Sequence, residues 1–281
     1  MKSEPLSLHT EGYSTEHVSD DRIAAVLRSV RSMRENIGDE HSLRNLAQSA
    51  LLSPYHFHRV FRQVTASTPA RFVAACRMEE AKLLLANSSD NVTDICMQVG
   101  YSSLGTFTSQ FSRLVGMSPR RFRRLMSTFS ADSCADVLAA CGPTVSPPER
   151  TQVTGVIDGD SDCGPLAVVG LFPSGIPQES PAACAVVRVS GVVAFDGLPD
   201  GTYYPLAVSF RSSATVADSI GDASVDHCLI GVSSARVRIS GGRAVNRDSF
   251  PLRLRRRRPI DPPLVLALPL LLAAGRPNAA A

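Results

Sequence analysis

The chain contains a long internal repeat. Leu46–Phe72 (LAQSALLSPYHFHRVFRQVTASTPARF) returns as Ile95–Phe122 (ICMQVGYSSLGTFTSQFSRLVGMSPRRF). Phe61, Pro69 and Phe72 recur 50 positions later as Phe111, Pro119 and Phe122. Leu46, Leu52 and Ser53 recur 49 positions later as Ile95, Tyr101 and Ser102, so one residue separates the two registers. A repeat of this length is a supersecondary unit used twice. Each unit reads as a short helix, a tight turn and a second helix, the arrangement with which many proteins enter the major groove of DNA. Two such units on one chain predict a monomer that reaches two successive grooves.

Local punctuation supports the helical reading. Ser42, Ser53-Pro54, Thr68-Pro69, Asn91, Ser102 and Ser118-Pro119 each precede a helix-compatible run. A Ser, Thr or Asn oxygen accepts the orphan N–H groups of a first turn, and Pro suits the first helical position. Ahead of the repeat, Ile23, Val26, Leu27, Val30, Met33 and Ile37 fall on one face of a predicted helix over 21–37, stopped by Gly38.

Charge is unevenly divided. Residues 41–126 carry 11 Lys and Arg against 4 Asp and Glu, a net of +7. Residues 1–40 carry 5 against 8 and residues 127–281 carry 13 against 14, giving −3 and −1. The positive charge sits on the repeat, where a polyanion would bind. The longest apolar run, Leu264–Ala274, has 11 residues and contains Pro269, short of the ~20 that a membrane helix needs. The acidic N-terminus lacks the apolar stretch of a secretion signal. Seven cysteines form no CxxC pair and read as neutral thiols in a reducing cytosol. These features predict a cytoplasmic, nucleoid-associated protein without a membrane partner.

On the helix after Ser53, Phe57, Val60 and Phe61 point inward and leave Tyr55, His58 and Arg59 outward. Arg pairs bidentately with guanine, and Tyr and His donate to base edges or phosphates. The corresponding outward positions of the second unit are Leu104, Gly105, Thr108 and Ser109. They are small and include no Arg, so weaker base reading is expected there, through a thymine methyl at Leu104 or Thr108. Arg62, Arg113, Arg120, Arg121, Arg123 and Arg124 are candidate phosphate clamps, which position a protein without reading sequence.

Residues 43–124 resemble the DNA-binding domain of AraC/XylS-type transcription regulators. The resemblance rests on LAxxAxxSPYHFHRVF, TPARF, RMEEAKLLL, VTDICxxVGYSSLGTFTSQFSR and GMSPRRFRR. It implies seven helices, a central helix from Arg71 to Ser88 joining the readers, promoter binding, partnership with RNA polymerase and usually activation. It also implies base reading at Tyr55, His58, Arg59, Leu104, Gly105, Thr108 and Ser109. Three positions depart from the pattern: Leu51 where a turn glycine is common, Cys96 for Ala, and Ser109 for a frequent Arg.

After a Gly-, Pro- and Ser-rich stretch the texture changes to short β-prone runs (LAVVGLF, CAVVRVS, YYPLAVSF, HCLIGV, FPLRLR) bounded by turn residues. The stretch from Phe195 to Tyr203, FDGLPDGTY, resembles the turn element of carboxypeptidase-regulatory or transthyretin-like sandwiches. The predicted organisation is a loose segment 1–18, an all-α double helix-turn-helix domain 19–129, a linker 130–164, an antiparallel β-sandwich 165–272 and a tail 273–281. By analogy with the regulators, the sandwich would seat a small effector or a second subunit. No catalytic set, metal or cofactor is expected: DGDSD at 158–162 lacks the closing Glu of a calcium loop. The competing reading is a low-specificity DNA-bending architectural protein.

Overall fold

Seven polar side chains open seven helices, each accepting the N–H three residues on: Ser42, Ser53, Thr68, Asn91, Ser103, Ser118 and Ser133. The computed structural model describes residues 19–142, 152–160, 162–221, 223–233, 235–246 and 248–275. The expected segment 1–18 lies outside them. The helices are α1 (Asp20–Glu35), α2 (Leu43–Ser49), α3 (Pro54–Thr65), α4 (Pro69–Asn87), α5 (Val92–Gln98), α6 (Leu104–Val115), α7 (Pro119–Phe129) and α8 (Cys134–Cys141). The cap of α6 is Ser103, not the expected Ser102. Ser53 therefore pairs with Ser103, and Ser102 is the extra residue of the second turn.

The repeat extends to the core. Phe57 and Phe61 stand 5.4 Å apart, and Phe61 meets Phe72 edge-on at 5.4 Å. Phe107, Phe111 and Phe122 repeat the arrangement at 5.7 and 5.9 Å. All six rings are fully buried, and such tilted pairs add stability beyond their burial. The backbone repeats as well: Leu51 and Gly100 both take positive φ (59° and 82°), as do Ala66 and Gly116 (53° and 92°).

The strands are β1 (Val153–Gly159), β2 (Leu166–Phe172), β3 (Ala183–Arg188), β4 (Val192–Phe195), β5 (Gly201–Phe210), β6 (Cys228–Val232), β7 (Val237–Ser240), β8 (Arg243–Ala244) and β9 (Ser249–Arg256), with the short α9 (Ala223–His227) before β6. They form one continuous sheet of order β3-β2-β5-β6-β9-β1-β4, with β7 and β8 extending from β5. β1 and β9 pair parallel. The edge strands β3 and β4 are consecutive in sequence and approach one another, so the sheet curls towards a barrel. Among the described residues the strands make one barrel-like sheet in place of the two stacked antiparallel sheets of the expected sandwich, because the parallel pair keeps the path unbroken. The FDGLPDGTY element does return its aromatics to the interior: Phe195 and Tyr203 are buried, and the Tyr203 hydroxyl donates to Pro199 O at 2.7 Å.

β2 is buried along its whole length because it serves two cores. Ala167, Val169 and Leu171 face the inside of the curl, while Leu166 and Val168 join the hydrophobic core of the helices. Alternation along a strand makes this division possible. The apolar run near the chain end becomes α10 (Leu268–Ala274), which packs on α7 and α8. Thus α8 and β1 lie inside the predicted linker, and α10 straddles the predicted boundary at 272, with only Ala273 and Ala274 in the predicted tail. Short apolar stretches there were diluted by their Gly- and Pro-rich surroundings.

A buried ionic hub joins the helices to the sheet. Glu79 of α4 accepts from Arg34 of α1 at 3.0 Å, from Arg257 at 3.1 Å and from the backbone N–H of Leu264 at 3.3 Å. Lys82, one turn on, donates to Leu264 O at 2.5 Å. Burial alone would raise the Glu79 carboxyl, but Arg257, Arg34 and Lys82 outweigh it and hold it below its ordinary range. Burial pulls the Lys82 ammonium down to about 8, with Glu79 opposing. The run Arg255–Arg258 is therefore mostly structural: Arg255 grips Asp261 at 2.6 and 2.7 Å, and Arg256 reaches Asp162 at 3.2 Å.

Candidate nucleic-acid interface

The inner faces of α3 and α6 are fixed by their phenylalanines, which dictates what they leave outside. Tyr55 is 84% exposed and Leu104 43%. Arg59, Gly105 and Ser109 are exposed, and His58 and Thr108 are half-buried. All seven residues expected to read bases thus lie on the outer side of their helices, near the N-terminal ends. In the two units Tyr55, His58 and Arg59 correspond to Gly105, Thr108 and Ser109, 50 positions on. One unit presents long polar groups and the other small ones.

Each reader flanks a cleft. A hollow of about 380 Å³ runs along α3, lined by Tyr55, His58, Arg59, Arg62, Gln63 and Ala66, with Tyr204 and Arg236 from the sheet. A second, of about 860 Å³, lies beside α6, lined by residues including Leu104, Thr108, Asn91, Ser118 and Arg120. The latter includes the capping residues of α5 and α7. First-turn N–H groups near such a surface favour anions.

The six predicted phosphate clamps divide. Arg62, Arg120, Arg121 and Arg124 are exposed. Arg113 is exposed but paired with Glu179. Arg123 turns inward, donating to Leu85 O at 3.3 Å and Asp90 O at 2.5 Å. It ties α7 to the end of α4 through Nε and one Nη, and it also lines the cleft beside α6.

Sequence reasoning missed Arg77. This α4 side chain donates to Ile37 O at 3.2 Å, Asp39 O at 2.7 Å and Gly100 O at 3.0 Å, with its guanidinium 5.5 Å from the Tyr101 ring centre. It fixes the turn before α6 to the end of α1. Burial pushes the Tyr101 phenol up to about 12, so it stays protonated and donates to Gln110. The signal in the sequence is slight: one cation in a connecting helix that also carries Arg71, Glu79, Glu80 and Lys82. Tyr204 and Arg236 carried no signal, being far from the repeat in sequence.

Among the described residues no group of three or more His, Cys, Asp or Glu is placed to hold a metal. Asp160 and Asp162 of DGDSD instead pair with arginines of the sheet region. No described helix is long and apolar enough to cross a membrane.

Residues 46–125 match the helix-turn-helix domain family. The chain is 36% identical over 91 residues to a helix-turn-helix-type transcriptional regulator of Mycobacterium tuberculosis, covering 32% of this chain and 35% of that protein. It is 33% identical over 92 residues to the transcriptional activator RhaS of Escherichia coli, covering 33% of each. The chain thus spans about a third of the length of these relatives. The solved DNA-binding domain of the global transcriptional factor AdpA, in complex with a target DNA, is 26% identical, with 39% of this chain and 96% of that one covered and a TM-score of 0.35. The repeat, its caps, its paired phenylalanine clusters and the family match over the same residues together make residues 46–125 a helix-turn-helix domain of the AraC type.

Proposed function

We propose that this chain is a sequence-specific, DNA-binding transcription regulator, an activator that reads two successive major grooves of promoter DNA. The observation that carries this reading is the duplicated unit, each copy exposing the outer N-terminal face of its second helix. Tyr55, His58 and Arg59 supply the stronger base reading, and Leu104, Gly105, Thr108 and Ser109 the weaker. Arg62, Arg120, Arg121 and Arg124 hold phosphates. The name of the Escherichia coli relative supports activation, which would require contact with RNA polymerase. The sheet-bearing half is the regulatory unit, a seat for a small effector.

Selection of bound duplexes from a random pool at about 150 mM salt should enrich a motif with one strongly defined half. A weaker half should lie about one helical turn away. Arg59→Ala should cost about 1–3 kcal/mol on the enriched duplex and relax one base position, while Arg121→Ala should weaken all duplexes alike. Binding without enrichment would select the alternative, a low-specificity DNA-bending protein. The small exposed surface of Leu104, Gly105 and Ser109 favours that second reading.

A further inference from the structure

The α3 cleft is closed on one side by the sheet, through two residues far away in sequence. Arg236 precedes β7 and is exposed; Tyr204 lies on β5 and is half-buried. The Arg236 guanidinium sits 5.2 Å from the Tyr204 ring centre. A guanidinium held over a ring keeps its in-plane N–H groups available to other acceptors. The main chain beneath is also fixed: Asn246 donates to Arg236 O at 2.6 Å and accepts from Arg238 N at 2.9 Å.

The cleft lining decides what this wall is for. It holds Arg59, Arg62 and Arg236 with His58, and no carboxylate. None of the three arginines is ion-paired among the described residues. A wall that masked the reader would present Asp or Glu to these cations. This wall adds a further cation instead, beside an aromatic ring. Exposed Arg238 and Arg243 continue the same sign along β7 and β8.

We infer that the sheet is part of the DNA interface: Arg236, seated on Tyr204, binds a backbone phosphate flanking the base pairs read by α3. The inference rests on the proposed DNA-binding function and extends its footprint beyond the helix-turn-helix domain. Arg236 acts without reading sequence, so its loss weakens specific and random duplexes equally.

The test uses the intact chain with the duplex recovered by selection and a scrambled duplex, titrated over a range of salt. Arg236→Ala should weaken both about fivefold at ~0.15 M salt and lower the slope of log affinity against log salt by about one. Tyr204→Leu should give part of that loss, and Arg236→Lys should be intermediate. Hydroxyl-radical footprints should lose protection at one backbone position beside the α3 half-site. Unchanged affinity and slope in Arg236→Ala would place the sheet off the DNA. Tighter binding would mean that the sheet obstructs α3. Either result overturns the inference while Arg59→Ala still weakens the selected duplex. If the unmodified chain binds neither duplex, the proposed function falls, and this inference with it. Because Arg236 is exposed, an unchanged melting midpoint should accompany both Arg236 variants.

Discussion

Leu51 shows how a single residue carries both halves of the repeat. Aligning the units puts it opposite Gly100, and its φ of 59° follows the glycine rather than its own preference. An L-residue in the left-handed region costs about 1–2 kcal/mol, whereas glycine pays instead through a freer unfolded chain. The Leu51 side chain is 78% exposed, so it recovers little by packing. Leu51→Gly should therefore stabilise the protein by about 0.5–1 kcal/mol net, seen as a higher thermal midpoint with an unchanged DNA footprint. A lower midpoint would mean that the side chain packs in a way its exposure conceals. This position was legible in the sequence because the signal is local. Ser103 was not: two adjacent serines compete for one cap, and only the backbone decides which is in register. The carbonyl partners of Arg123 were hidden for a related reason, since within an Arg-rich helix the amino-acid type does not say which guanidinium meets carbonyls.

Among the elements, the helices were readable and the sheet was not. Caps, prolines and a 3.6-residue apolar period are all local, so α1 to α7 follow from the sequence nearly residue by residue. Strand order is a non-local property. Nothing in VTGVIDG says that it pairs parallel with a strand some ninety residues on, as Thr154 does with Ser249. The clamps that fix element to element are equally non-local. Arg77 ties α4 to the ends of α1 and α5 through three carbonyls. Replacing it with Met keeps the apolar stem but orphans those acceptors. With each charge-assisted bond worth about 1.5–3 kcal/mol but partly solvated here, a loss of about 2–4 kcal/mol is expected. Hydrogen exchange should quicken first around Gly38 and Gly100, before the core of α3 opens. Uniform quickening across the chain would contradict a local clamp.

For the whole molecule, the Glu79 hub couples the readers to the sheet, and its ionisation gives stability a pH dependence. The Glu79 carboxyl is held below its ordinary value of 4.5, so its contribution is complete above that value and disappears as pH falls through the folded one. Lys82 works in the opposite sense. Its folded value of about 8 lies below the ordinary 10.5, so the unfolded chain binds more protons between the two and stability rises with pH across that window. Glu79→Gln should cost about 3–5 kcal/mol at neutral pH by stranding buried cations, and should flatten the acid limb of urea midpoint against pH. Lys82→Met should abolish the alkaline rise; persistence of that rise would assign it to another group. The segment between β2 and β3 adds a second coupling. Gly175 lies under the end of α3, where a Cβ would come within 2.7 Å of the Ala66 Cβ, and Glu179 N donates to Leu114 O near the end of α6 at 3.1 Å. Both reader helices thus rest on one short stretch of chain, besides being joined through α4. On the proposed function, the protein is a caliper with a fixed gap. Inserting one base pair between the half-sites moves one of them by about 3.4 Å and turns it by about a tenth of a turn. Such a duplex should bind like one with a single half-site, because neither jaw can follow.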